Sequence, residues 1–133
     1  MKNLIIITAI SFMVIACSDH ENHTKHAVTN VVLNDGFKWE ANEDTTIGIK
    51  NMKAIVDNYL NTNNNSHEHL KQQLQEEFAM IFKKCTMKGE AHNQLHNFLL
   101  PLKNQIGNIN STTTHQKLET MAKYLSEYDK YFK

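Results

Sequence analysis

The sequence contains no arginine, so its positive charge comes entirely from fourteen lysines. Without guanidinium groups, the chain has no side chain that holds a phosphate through two parallel hydrogen bonds. The fourteen lysines are balanced by fourteen aspartates and glutamates, which gives a formal net charge of zero. Because no excess of basic side chains is present to neutralise phosphates, the sequence predicts no nucleic-acid partner.

Proline and cysteine are also scarce, with one proline and two cysteines in 133 residues. A single proline fits a chain of helices joined by polar turns. The absence of a Cys-x-x-Cys-His motif excludes covalently attached haem. The composition, with 41% hydrophobic and 21% charged residues, is typical of one globular domain with additional segments.

The first sixteen residues have the pattern of a bacterial lipoprotein signal peptide. Lys2 supplies a positive start, and the apolar run at residues 4–15 is too short to span a bilayer. Ala16 and Cys17 follow, in the order of a lipobox, where a cysteine after a small residue is lipidated and becomes the new N-terminus. We predict acyl chains, palmitate among them, on Cys17. A plain secretory signal with an incidental cysteine is the alternative interpretation.

The predicted organisation has three parts: the cleaved signal peptide at 1–16, the lipidated cysteine with a flexible tether at 17–30, and a helical domain at 31–133. The tether is polar and carries three histidines spaced by three, so a loosely held metal ion is the alternative to a solvated linker. Lipidation predicts a membrane-anchored protein of the bacterial cell envelope, with the outer membrane favoured over the inner one. Cys85 is then the one remaining thiol, and no intramolecular disulfide can form.

The domain is predicted to open with a short extended segment. Two apolar pieces flank an Asp35-Gly36 pair, which is a strong turn signal. Because two short strands are marginal alone, they are expected to lie on the helices, with Phe37 and Trp39 capping one end of the core.

Apolar residues then recur at helical spacing in four segments. Each segment presents one apolar stripe and none is apolar all round, so four stripes can enclose one core. Short polar connections favour an all-α fold, namely an antiparallel up-and-down four-helix bundle. The predicted helices run from residue 42 or 44 to residue 60, from Ser66 to Cys85, from Glu90 to Ile109 with a kink at Pro101, and from about residue 118 to residue 132.

The corner between the second and third predicted helices concentrates the side chains that can do chemistry: Cys85, Met87, His92 and His96. Gly89 is expected to end the second helix in a left-handed conformation. At about 100° per residue, Cys85 points into the core, while His92 lies at its border and His96 on its flank.

Two interpretations of this corner stay open. His92 and His96, one helical turn apart, offer two nitrogens to one ion, and Cys85 or Met87 adds sulfur. Imidazole with sulfur suits copper(I) or zinc better than magnesium or calcium. Alternatively these residues only pack the corner, and the protein is a structural or interaction lipoprotein with an envelope protein partner.

Catalysis is not predicted. A nucleophilic Cys85 paired with a histidine would need an exposed thiol with a lowered pKa, and no aspartate or asparagine that would orient the imidazole is recognisable nearby. Noncovalent haem held through Met52, Met87 or a histidine is a further option, but nothing in the sequence singles out those residues.

Three segments carry a resemblance to a known family: residues 33–39, residues 85–101 and residues 128–132. The middle segment has the pattern Cys-Thr-Met-x-Gly-x-x-His-x-x-Leu-His, starting at Cys85, with Pro101 after it. The chain resembles a family of small, uncharacterised bacterial envelope lipoproteins, and the resemblance covers nearly all of the domain after the tether. It implies a lipoprotein and a helical bundle, and it implies no particular activity.

Overall fold

The computed structural model describes residues 30–62 and 66–133. This part of the protein is all-α, with four helices packed together and no sheet among the described residues. The predicted all-α class is thereby confirmed. The helices are α1 (Glu43–Asn61), α2 (His67–Lys84), α3 (Gly89–Gly107) and α4 (His115–Ser126), followed by a single turn, α5 (Tyr128–Tyr131).

Polar residues mark the starts of two helices. Ser66 precedes α2, as predicted, and its side chain accepts a hydrogen bond from the backbone N–H of Glu68. Thr114 precedes α4, and its side chain accepts one from the N–H of Lys117. Each bond satisfies a backbone donor that the first turn of a helix otherwise leaves without a partner.

One apolar cluster joins the four helices. Helix α1 packs against α2 and α4, and α3 packs against the same two helices. Helix α1 approaches α2 closely at Gly48, where a Cβ atom would lie 2.5 Å from Cγ1 of Ile81. The largest fully buried side chains come from all the helices and from the C-terminus: Tyr128, Phe98, Phe132, Met52, Leu70, Leu74, Ile81, Leu95, Leu99, Leu102, Leu118 and Leu125.

The predicted turn in the N-terminal segment is confirmed. Asn34 and Phe37 exchange two backbone hydrogen bonds, of 2.9 and 2.8 Å, around Asp35 and Gly36. Both central residues have positive φ, 49° and 88°, as a tight two-residue hairpin turn requires.

The prediction that Phe37 caps the core is wrong, because its side chain is 75% exposed. Phe37 closes the turn, so it lies beyond the point where this segment meets the helices. Trp39 does pack against the core, and its backbone bonds to Tyr131 and Lys133 at the C-terminus. Only one of the two aromatic residues therefore covers the end of the bundle.

Two helix ends differ from the predicted ones. Helix α2 ends at Lys84, and residues 85–88 form an extended connector before α3. Gly89 has the expected positive φ, 63°, but it is the first residue of α3 rather than the end of α2. The fourth helix is interrupted at Glu127, after which α5 directs Phe132 toward a bridge with Trp39.

The predicted signal peptide at 1–16, Cys17 and all of the predicted tether except Asn30 lie outside the described residues. Among the helices that the structure does describe, none combines the length and the apolar character needed to span a bilayer.

Candidate metal site

The connector at 85–88 carries two of the candidate residues, Cys85 and Met87. Hydrogen bonds with Asn42, just before α1, hold the connector in position. Asn42, which precedes α1, donates from its side chain to the carbonyl of Lys84 at 3.3 Å. The same side chain accepts from the backbone N–H of Thr86 at 3.5 Å through its oxygen. The second oxygen contact of Asn42 is with the hydroxyl of the fully buried Thr45, at 2.7 Å. Because Thr45 is buried in the core, its hydrogen bond restrains the side chain of Asn42, which in turn restrains the connector.

One nitrogen of His92 is fixed by this connector. Nδ1 of His92 lies 2.7 Å from the backbone carbonyl oxygen of Met87. A carbonyl can only accept, so Nδ1 carries a proton and donates it. In the neutral imidazole the other nitrogen, Nε2, then holds a lone pair.

The lone pair of His92 faces a second histidine. Nε2 of His96 lies 2.7 Å from Nε2 of His92, and the two ring centroids are 4.5 Å apart. With His92 in the tautomer set by Met87, His96 is the donor through its Nε2 proton. Both side chains are half-buried. Two imidazole nitrogens therefore point at one place on the side of α3.

Cys85 is on the other side of the His92 ring. Its Sγ atom lies 3.8 Å from Nδ1 of His92, whereas His96 meets Nε2. Since Nδ1 already donates to Met87, it has no lone pair to take a proton from the thiol. The two residues are close but are not arranged as a nucleophile with its base. Cys85 is half-buried and packs against the core, in agreement with its predicted inward direction.

Met87 contributes to the site through its backbone. Its carbonyl sets the tautomer of His92, and its side chain is partly buried against the core. His92 thus contacts all three of the other predicted ligands, but only His96 shares the space at its Nε2 atom. These contacts bring two candidate nitrogen ligands together, while Cys85 and the carbonyl of Met87 lie at the Nδ1 side of the His92 ring.

Phe82 of α2 covers the outer histidine, a role that the sequence analysis missed. Its ring lies edge-on to His96, with centroids 5.6 Å apart, and it also contacts Phe78 at 5.1 Å. Phe82 continues the apolar spacing of α2, which predicts a buried position, yet its side chain is 45% exposed. Its position about 80° from Leu74 on a helical wheel was the available signal, because that angle lies on the flank.

The acidic side chain closest in sequence to His92 is engaged elsewhere. Glu90 accepts hydrogen bonds from Gln94 at 2.7 Å and from Asn93 at 3.1 Å. These bonds, that from Gln94 foremost, hold the pKa of Glu90 below its ordinary value. Gln94 in turn accepts from the backbone N–H of Val32 at 2.9 Å. Glu90 therefore belongs to the network that attaches the N-terminal segment to α3.

The separation of the two Nε2 atoms is close to what one ion needs. Zinc binds imidazole nitrogens at about 2.0–2.1 Å, and two tetrahedral ligands are then about 3.3 Å apart. The rings would have to separate by about 0.6 Å from their present 2.7 Å. Within residues 30–62 and 66–133, no group of three or more histidine, cysteine, aspartate or glutamate side chains is placed to hold an ion.

Comparisons of this chain with protein-family models, with curated proteins and with solved structures found no match.

Proposed function

We propose that this protein is a lipid-anchored binding module of the bacterial envelope that holds a metal ion between His92 and His96. The observation that carries the proposal is the 2.7 Å approach of the two Nε2 atoms, with His92 fixed through its other nitrogen by the carbonyl of Met87. Histidines that bind metals almost always donate their second N–H to a carbonyl or carboxylate, which orients the ring and selects the tautomer. An ion at this place would take the position of the Nε2 proton of His96, and His96 would then carry its proton on Nδ1.

Zinc fits this pair better than copper(I). Imidazole nitrogen suits zinc, whereas soft sulfur ligands select copper(I). The sulfur of Cys85 lies beside Nδ1 of His92, and that nitrogen is not the one that faces His96. A sulfur ligand would require the connector at 85–88 to move, which is opposed by the bond from Asn42 to Lys84 and by the bond that Asn42 accepts from Thr86. Zinc would complete its coordination with water or with a ligand from a partner.

A second candidate is a structural or protein-interaction lipoprotein without a metal. It is favoured because the polar groups at this corner already have hydrogen-bond or ring partners within the protein. The ring of His92 provides a donor for the Met87 carbonyl, and His96 is held between His92 and Phe82. In that case the histidines stabilise the junction of α2 and α3, and the functional surface lies elsewhere.

The remaining parts of the proposal rest on sequence. Lipidation of Cys17 would anchor the protein to an envelope membrane, with a helical domain after residue 30. The short connections between consecutive helices support an antiparallel up-and-down order, as does the packing of α1 against both α2 and α4. Growth with a labelled fatty acid should mark the wild-type protein, and a Cys17→Ser variant that still carries label would refute the anchor.

Calorimetric titration of zinc into the detergent-solubilised, lipidated protein tests the metal site. The matched set is His96→Gln, His92→Gln and the control His115→Gln, which changes an exposed histidine of α4. Loss of one of two nitrogens should weaken zinc binding more than about tenfold, because each ligand bond is a large share of the affinity. The His115→Gln variant should bind like the wild type.

The tether histidines at 20, 23 and 26 are present in every protein of this set, so they contribute equally to each. Equal zinc affinity in all four proteins would overturn the metal proposal and favour the structural one.

A Cys85→Ser variant distinguishes a site of two histidine nitrogens from a site that includes the sulfur of Cys85. If it loses zinc as completely as His96→Gln does, the two-nitrogen site is wrong, since Cys85 must then bind the ion. Thermal melting of each variant confirms that the fold is retained.

A further inference from the structure

An exposed apolar hairpin precedes the first helix. Within residues 31–39, Val32 is 58% exposed, Leu33 is 40% exposed and Phe37 is 75% exposed. The other large exposed apolar side chains of the described chain lie on helices, with no more than two on any one helix: Ile47, Met80, Phe82 and Leu100. Three exposed apolar side chains within residues 32–37 concentrate apolar surface in one short segment, which water does not favour.

Hydrogen bonds hold this hairpin in place on the domain. The backbone N–H of Val32 donates to Gln94 of α3, and the carbonyl of Val32 accepts from the indole N–H of Trp39 at 2.6 Å. On the other side, Trp39 bonds through its backbone to Tyr131 and Lys133. The exposed side chains are therefore presented by a fixed element rather than by a loose end.

The position of the hairpin in the chain indicates what covers it. Asn30, where the described chain begins, follows Cys17 by thirteen residues. Thirteen residues can span about 45 Å at most, so a lipid on Cys17 keeps the hairpin within that reach of the bilayer. The hairpin is also the first described element after the predicted anchor. This step rests on the lipidation in the proposed function and is independent of the metal site.

We propose that the hairpin at 31–39 lies on the lipid bilayer, with Phe37, Val32 and Leu33 among the headgroups and upper acyl chains. Aromatic and aliphatic side chains beside polar groups are typical of the membrane interface. The polar tip, Asn34-Asp35-Gly36, would remain in the headgroup region. The acyl chains supply the affinity, and the hairpin sets which face of the domain meets the membrane.

The charges nearby predict that this contact is apolar rather than electrostatic. Asp35 lies at the tip, and Lys38 follows on the same segment. Lys133 is paired with Glu40 at 2.8 Å. Because the two signs are balanced, the contact should not require anionic lipid, and it should persist when salt is raised.

Trp39 is the one tryptophan of the chain and provides a native reporter beside the hairpin. The lipidated protein is reconstituted into phosphatidylcholine vesicles with and without bromine on the acyl chains, which quenches nearby indoles. The compared proteins are the wild type, Phe37→Ser and the control Ile47→Ser, which alters an exposed apolar residue of α1. We expect quenching of Trp39 in the wild type and in Ile47→Ser, and at least a twofold loss of quenching in Phe37→Ser.

Equal quenching in all three proteins, or none in the wild type, would overturn the membrane contact. A dimer in detergent that Phe37→Ser dissociates would also overturn it, because a second copy would then cover the hairpin. Mass analysis reports the acyl chains on Cys17 separately. If they are missing, the anchor of the proposed function has failed and the membrane contact falls with it. That result is distinct from acyl chains that are present without quenching of Trp39, which overturns the hairpin contact alone.

Discussion

Replacing Gly48 with alanine tests whether α1 and α2 approach each other as closely as the structure indicates. The added Cβ would lie 2.5 Å from Cγ1 and 3.0 Å from Cδ1 of Ile81. Ile81 is 1% exposed, and a β-branched side chain in a helix has essentially one favoured χ1 rotamer. The isoleucine therefore cannot swing away, and the two helices must move apart.

The expected effect is the difference of two opposing terms. Alanine in place of glycine stabilises a helix interior by about 0.8–1 kcal/mol. Overpacking a well-filled core costs about 1–3 kcal/mol. Because the clash involves Cγ1, close to the backbone of α2, the upper half of that range applies. Gly48→Ala should therefore lower the free energy of unfolding by about 1–2 kcal/mol.

Gly107→Ala is the matched control. Gly107 is also helical, and a Cβ there would meet nothing within 4 Å. The helix term then acts alone, and the free energy of unfolding should rise by up to about 1 kcal/mol. Urea denaturation followed by circular dichroism measures both changes, with unaltered m-values expected.

A double-mutant cycle locates the cause of the effect. Ile81→Ala alone should cost about 2–5 kcal/mol, because it leaves a cavity. Combined with Gly48→Ala, it should cost less than the sum of the two single changes, since the new methyl group occupies part of that cavity. If Gly48→Ala is as stable as Gly107→Ala, or if the cycle shows no coupling, the close contact of α1 with α2 is refuted.

Three further changes have defined outcomes. Ser66→Ala removes the cap on the N–H of Glu68 and should lower the free energy of unfolding by about 1 kcal/mol, measured by urea denaturation; no loss would contradict the cap. Tyr124→Phe removes the buried 2.6 Å bond to the carbonyl of Phe98 and should cost about 1 kcal/mol by the same assay, so an unchanged value would argue against that bond. Burial raises the pKa of Tyr128 to about 12. The stability that the neutral, buried hydroxyl contributes is therefore complete below pH 10 and is lost as the pH rises toward 12. Between pH 8 and 12 the free energy of unfolding should fall more steeply in the wild type than in Tyr128→Phe, and equal slopes would contradict the burial of this hydroxyl.

The parts of the fold that were predictable from sequence are those where local chemistry and periodicity agree. Ser66 before an apolar repeat marked the start of α2, and Asp35-Gly36 marked the turn. The end of α2 was not predictable in the same way. Cys85 continues the apolar stripe, but α2 ends at Lys84, whose carbonyl accepts a hydrogen bond from Asn42, a residue distant in sequence.

The candidate site was predictable in its position and not in its geometry. A spacing of four residues brings His92 and His96 onto neighbouring positions of one helix. Which nitrogen each ring presents depends on the carbonyl of Met87, and that carbonyl is directed by the extended connector and by the left-handed Gly89. The approach of Cys85 to Nδ1 of His92 likewise depends on tertiary packing. No sequence pattern specifies which ring nitrogen a neighbouring residue will contact.

The most direct test of the central claim is a nitrogen-15 NMR spectrum of the two histidine rings, recorded before and after one equivalent of zinc. Long-range hydrogen-nitrogen correlations identify which ring nitrogen carries a proton. Without metal, His92 should be protonated at Nδ1 and His96 at Nε2, as their hydrogen bonds require.

With zinc, both Nε2 signals should move to metal-bound shifts, and His96 should change to the Nδ1-protonated tautomer while His92 keeps its Nδ1 proton on the carbonyl of Met87. Spectra in which neither Nε2 signal responds to zinc would contradict the proposal that this pair is a metal site.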